Sequence, residues 1–124
     1  MNTKCIFCQR DDTTLNRIIA ENELAYARWD NLPVSKGHLE VNPKRHIESV
    51  FELTENEMSA IYELMKIAKG IVEAEYAPNG YHIAVNEGEA SGKTVPHLHF
   101  HLIPRYTGDK ADPRGGIVTS LFGN

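Results

Sequence analysis

Residues 97–103 read His97-Leu98-His99-Phe100-His101-Leu102-Ile103. Side chains on a β-strand alternate between its two faces, so this spacing predicts three imidazoles on one face and Leu98, Phe100 and Leu102 on the other. The segment therefore demands a sheet with one packed face and one chemical face. A strand that needed only a polar outer surface would use Thr, Lys or Glu. Imidazoles at every second position point instead to a nucleophile, a metal ligand or an anion site.

The rest of the chain supplies partners for that strand. Leu24 to Trp29 and Gly37 to Val41 read as two strands, separated by the turn signals Asp30-Asn31-Leu32-Pro33 and Ser35-Lys36-Gly37. Thr54-Glu55-Asn56-Glu57 is a capping box, followed by Met58, Ile61, Leu64, Met65, Ala68, Ile71 and Val72 at the spacing of one helical face. The pattern predicts a helix over residues 55–76, closed by Pro78-Asn79-Gly80 and followed by a strand from Tyr81 to Asn86. A glycine-bearing loop, Glu87 to Lys93, leads into the histidine strand. Strands, one long helix and more strands, without alternating strand–helix units, give an α+β class with an antiparallel sheet. Residues 106–124 hold Gly108, Pro113, Gly115 and Gly116 and read as an irregular tail.

At 124 residues the chain fits a single domain. A net charge of −4, with no run of Lys or Arg, argues against broad electrostatic binding to nucleic acid. No apolar stretch approaches the roughly 18 residues of a membrane span, and Met1-Asn2-Thr3-Lys4 lacks the apolar core of a signal peptide, so a cytoplasmic protein without membrane contact is expected. Both cysteines lie in Cys5-Ile6-Phe7-Cys8. In a reducing compartment such a pair binds metal or does redox work more often than it forms a structural disulfide. Zinc favours four thiolate or imidazole ligands, so two histidines would complete a site, with His38, His46, His82 and the strand triplet all candidates by spacing. The redox reading is weaker, since a thioredoxin-like strand–helix context is absent.

The heptad His97 to Ile103 resembles the signature of the histidine triad (HIT) superfamily. Asp30-Asn31-Leu32-Pro33, Gly37-His38, Pro43-Lys44-Arg45-His46, and Asn86-Glu87-Gly88 with Gly92-Lys93-Thr94-Val95 resemble that family's landmarks in order and spacing. So do Cys5-x-x-Cys8, Pro104-Arg105 and Pro113-Arg114-Gly115-Gly116, as in bacterial members. The resemblance covers nearly the whole chain. It implies a single HIT-like domain over residues 1–124, with a zinc-binding segment at 1–10, in a homodimer sharing an extended sheet. It further implies action at the α-phosphate of a nucleoside 5′-phosphate derivative, a dinucleoside polyphosphate or a nucleoside phosphoramidate, through a nucleotidyl-histidine intermediate. His99 would be the nucleophile, and His101 would donate a hydrogen bond to a phosphate oxygen. Cys5, Cys8, His46 and His97 would hold a structural zinc. Asp30 would meet the ribose hydroxyls, Asn86 and Thr94 the phosphate and leaving group, and His38 would support the catalytic strand. His82 is expected to be a plain strand-surface residue.

Three positions depart from the family pattern. Lys93 stands where relatives usually carry a glutamine, and its added charge would favour an anionic leaving group such as a polyphosphate. Glu40 and Asn42 occupy a strand segment that is usually apolar, where Glu40 would either accept from a base amino group or face water. Two rival readings remain at this stage. One is a nucleotide-binding or scaffold protein without chemistry; the other is a metalloenzyme whose strand histidines hold an open-site metal.

Overall fold

The computed structural model describes residues 5–110 and 112–114. Among the described residues, five strands form one antiparallel sheet: β1 (Ile18–Glu21), β2 (Ala25–Trp29), β3 (Leu39–Pro43), β4 (Gly80–Val85) and β5 (Phe100–Arg105), in the order β1-β2-β3-β5-β4. One helix, α1 (Glu55–Tyr76), covers one face. The α+β class and the long helix agree with expectation. Because β5 inserts between β3 and β4, the last described strand in sequence is internal in space. This places His101 in the middle of the sheet.

The strand boundaries required correction. The histidine segment joins the ladder only at Phe100, not at His97. Before that point the His97 amide donates to the Val95 carbonyl, and the Leu98 amide donates to the Ile47 carbonyl at 2.7 Å. The two-faced alternation holds nonetheless, with Leu98, Phe100 and Leu102 all in the core beneath α1. β3 begins at Leu39 rather than Gly37, because Gly37 adopts φ +86°. A Cβ there would lie 3.0 Å from Tyr76 Cδ2 and 3.1 Å from Val72 Cγ1, so the residue is confined to glycine by both backbone and packing. β1 was not foreseen: it has only four residues, and its pairing to β2 is irregular at Ile18/Ala20. Gly115, Gly116 and most of the expected tail lie outside the described residues.

Thr54 caps α1 through the reciprocal pair anticipated from sequence. Its hydroxyl accepts from the Glu57 amide, and the Glu57 carboxylate accepts from the Thr54 amide. Ile61, Leu64, Ala68 and Val72 then pack on Ala25, Ala27, Leu39 and Val41. Met58, expected in that stripe, is exposed; Glu57 takes the inward place instead, gripped by two bonds from Arg45 at 2.8 and 2.9 Å. The Arg45 guanidinium holds the Glu57 carboxyl down at about 2, against a usual 4.5. Since the folded pKa is the lower, the stabilisation is complete above 4.5 and is lost as pH falls through 2. Glu57→Ala is expected to cost about 2 kcal/mol at pH 7, the worth of a cap plus a charge-assisted pair. Urea titrations of both proteins should show the gap narrowing between pH 5 and pH 2.

Candidate active site and metal centre

The sheet face away from α1 carries a polar row that crosses three strands. Arg28 on β2 pairs in register with Glu40 on β3, and Glu40 pairs with His101 on β5. Tyr26 and Asn42 form the neighbouring row. The segment preceding β1 lies over this face. Tyr26 donates to the Phe7 carbonyl at 2.5 Å, and Arg28 donates to the Leu15 carbonyl at 2.7 Å while sitting 5.0 Å above the Phe7 ring. Phe7 also packs against His97 and His99, with centroids 5.8 and 5.1 Å apart.

Cys5, Cys8, His46 and His97 converge, with ligand atoms all within 4.8 Å of one another. Cys8 Sγ lies 3.2 Å from His46 Nδ1 and 3.5 Å from His97 Nδ1, Cys5 Sγ lies 3.4 Å from His97 Nδ1, and the two Nδ1 atoms are 3.2 Å apart. His97 Nε2 lies 2.8 Å from the Pro43 carbonyl. A carbonyl only accepts, so the proton is assigned to Nε2 and the Nδ1 lone pair faces the cysteines. Burial, the largest influence, holds His97 down at about 4, so the ring is neutral, as a ligand must be. This cluster is capable of coordinating a metal.

The same logic fixes the next two rings. His99 Nδ1 lies 2.8 Å from the His97 carbonyl and therefore carries the proton, leaving Nε2 with a lone pair. Burial lowers the His99 pKa, with Lys93 and Arg28 adding to the effect against the bond to the His97 carbonyl. His38 Nδ1 accepts the Val34 amide at 3.0 Å, so the His38 proton sits on Nε2, which lies 2.9 Å from His101 Nδ1. His101 must then carry its own proton on Nε2. Burial, with His99 and His38 close by, holds His101 near 4. Two neighbouring rings, centroids 5.0 Å apart, thus present opposite functions: an unprotonated nitrogen on His99 and an N–H on His101.

Two carboxyls flank the His38–His101 contact. Asp30 Oδ2 is 3.4 Å from His38 Nε2, and Glu40 Oε2 is 3.8 Å from His101 Nδ1. Burial pushes Asp30 upward, but His38, the Leu32 amide and Glu40 outweigh it and leave Asp30 below its usual range. Glu40 is driven the other way, to about 8, by burial and by Asp30, with Arg28 opposing.

The HIT domain model matches residues 13–108. The chain belongs to the HIT family. It is 36% identical over 104 residues to the adenosine 5′-monophosphoramidase hnt1 of Schizosaccharomyces pombe, covering 82% of this chain and 74% of that one. A HIT family protein from Bacillus anthracis superposes with a TM-score of 0.77 at 38% identity, covering 86% of this chain and 76% of that chain. A zinc-bound histidine triad family protein from Mycobacterium smegmatis gives a TM-score of 0.74 at 30% identity, covering 87% and 79%.

The other residues singled out from the HIT pattern take less central places. Asn86 is half-buried directly after β4. Lys93 and Thr94 line a cavity of about 480 Å³ together with Glu48, Glu87 and Glu89. Lys93 donates to the Glu48 carbonyl. Glu40 does not face water: it is buried against Arg28. His82 is not a plain surface residue but half-buried, with Nδ1 3.5 Å from Arg105. Two contributors went unnoticed in the sequence, Phe7 and Arg28. Phe7 gives no signal beyond its place between the cysteines. Tyr26 and Arg28 could have been read as the polar alternates of Ala25 and Ala27, facing the same way as Glu40 and Asn42.

Proposed function

We propose that this protein is a nucleotidyl hydrolase or transferase acting at the α-phosphate of a dinucleoside polyphosphate or nucleoside phosphoramidate. The observation that carries this reading is the opposed proton placement on His99 and His101. The His99 Nε2 lone pair attacks phosphorus, forming an N–P bond as the P–O or P–N bond to the leaving group breaks with its electron pair. The His101 N–H stabilises charge growing on a phosphate oxygen. Water, or another acceptor, then attacks phosphorus, breaks the N–P bond and restores His99 while releasing the nucleotide. Neutrality of both buried imidazoles at pH 7 suits this division of labour. Asp30 is assigned to the ribose hydroxyls, and Asn86, Lys93 and Thr94 to the phosphate and leaving-group side. The fission yeast relative's phosphoramidase name supports the substrate class.

The metal assigned to Cys5, Cys8, His46 and His97 is zinc, in a structural role. A tetrahedral zinc separates nitrogen and sulfur ligand atoms by about 3.3–3.8 Å, and the observed separations of 3.2–3.5 Å are close to that frame. Four protein ligands leave no position for substrate. The same reading makes the protein a homodimer: β4 forms the outer edge of the sheet, and Ile83 on it is 62% exposed. No described helix is long and apolar enough to cross a membrane.

The deciding experiment is rapid-quench mass spectrometry with adenosine 5′-phosphoramidate and, separately, diadenosine tetraphosphate. A transient gain of one adenylyl group on the protein, followed by AMP release, is the expected result, and the faster substrate identifies the leaving group. Nucleotide binding with neither adduct nor AMP from either compound would instead make this a binding protein.

A further inference from the structure

Glu40 is a buried acid that the proposed chemistry does not use. It lies in the register row Arg28–Glu40–His101, and its ligand atoms, with those of His99 and His101, fall within 4.8 Å of one another. The groups facing it, among the described residues, are Arg28 from β2, Asp30 just after β2, His38 just before β3, and His99 and His101 from the β5 segment. Arg28 is 2% exposed and brings one positive charge. Glu40 bonds Arg28 through one oxygen, and Glu40 and Asp30 each place a carboxyl oxygen within 4.8 Å of a His101 ring nitrogen. Arg28 neutralises only one of these two carboxyls, and burial disfavours a second bare charge. The geometry thus describes an electroneutral unit: one guanidinium and two carboxyls, one of them protonated.

Resting on the nucleotide reading above, we propose that Glu40 is a positioning residue whose proton keeps the floor of the site free of excess negative charge, so that its loss expels a nucleotide phosphate. The upward displacement of the Glu40 pKa to about 8 accords with this and sets the range in which to look. Ionisation would leave two carboxylates against one guanidinium beside His101, where the phosphate binds. Glutamine reproduces the protonated form: its carbonyl accepts from Arg28, yet it has no proton to lose in this range.

The test is AMP affinity by calorimetry between pH 7 and 9.5, for wild type and Glu40→Gln, in the zinc-loaded full chain. The phosphate of AMP is already dianionic over this range, so its own charge is constant. Wild-type affinity is expected to fall on the order of tenfold, the scale of one added charge several ångströms from a phosphate. That of Glu40→Gln should fall less than about threefold. Carbon-13 titration of the Glu40 carboxyl in wild type, assigned by its absence from the variant, gives a second readout free of any folding defect; a midpoint well above the ordinary glutamate range is expected. Parallel affinity curves, or a Glu40 midpoint in the ordinary range, overturn the proposal alone. Failure of AMP to bind either protein at pH 7 overturns it together with the nucleotide reading.

Discussion

His99→Ala is expected to lower turnover by on the order of 10⁴-fold or more and to abolish the adenylyl adduct, measured by AMP release and rapid-quench mass spectrometry. The size follows from the lack of a substitute. His101 Nε2 carries a proton, and its Nδ1 is occupied by His38. His97 Nε2 is bound to the Pro43 carbonyl, and its Nδ1 belongs to the cysteine cluster. Neither ring can turn a lone pair toward phosphorus without breaking its own anchor. His101→Ala should behave differently: the adduct still forms, but on the order of 10²–10³-fold more slowly, as for loss of one charge-stabilising donor. Equal losses from the two variants, with adduct absent from both, would refute the division between nucleophile and donor. Because His99 packs on Phe7, AMP affinity and thermal midpoints for each variant separate chemistry from damage to the fold.

Removing the metal, by chelation or by Cys8→Ser, is expected to lower the melting temperature by about 10 °C or more, with loss of one equivalent of zinc by elemental analysis. Cys8 meets both His46 and His97, so this one sulfur ties the first described segment to the loop after β3 and to the approach of β5. Releasing them would loosen Phe7, which sits on His99, and would uncover Arg28. Chemistry should survive in the fraction that stays folded. Full loss of turnover at an unchanged melting temperature would show instead that the metal takes part in the reaction, through an open site such as His99 and His101 with Glu40.

What was legible in the sequence depended on how local the signal was. The helix was read to the residue at both ends, because a capping box and a Pro-Asn-Gly turn act over three or four positions. The alternation in residues 97–103 gave the correct faces but overstated the ladder, since pairing depends on neighbours far away in sequence. β1 escaped notice because four residues with irregular pairing are held by β2 rather than by their own pattern. The inward turn of Glu57 in place of Met58 was set by Arg45, outside any helical periodicity. At the site, the family pattern brought together the cysteine and histidine positions that the structure also brings together. The burial of Glu40 is not legible in the sequence, because it depends on Arg28 from another strand.

The orientation of His101 begins not in a side chain but in the peptide group at Val34. Whatever stands at position 34, its main-chain N–H points at His38 and thereby decides which nitrogen of a ring two partners away holds hydrogen. Evolution can therefore replace valine there almost at will, and a scan of alanine variants would pass over the position in silence. Only proline, which has no amide hydrogen, would release His38 to flip its tautomer and reverse the polarity of the chain ending at His101. A residue can thus be dispensable in every atom that distinguishes it from its neighbours and indispensable in the one hydrogen it shares with nearly all of them.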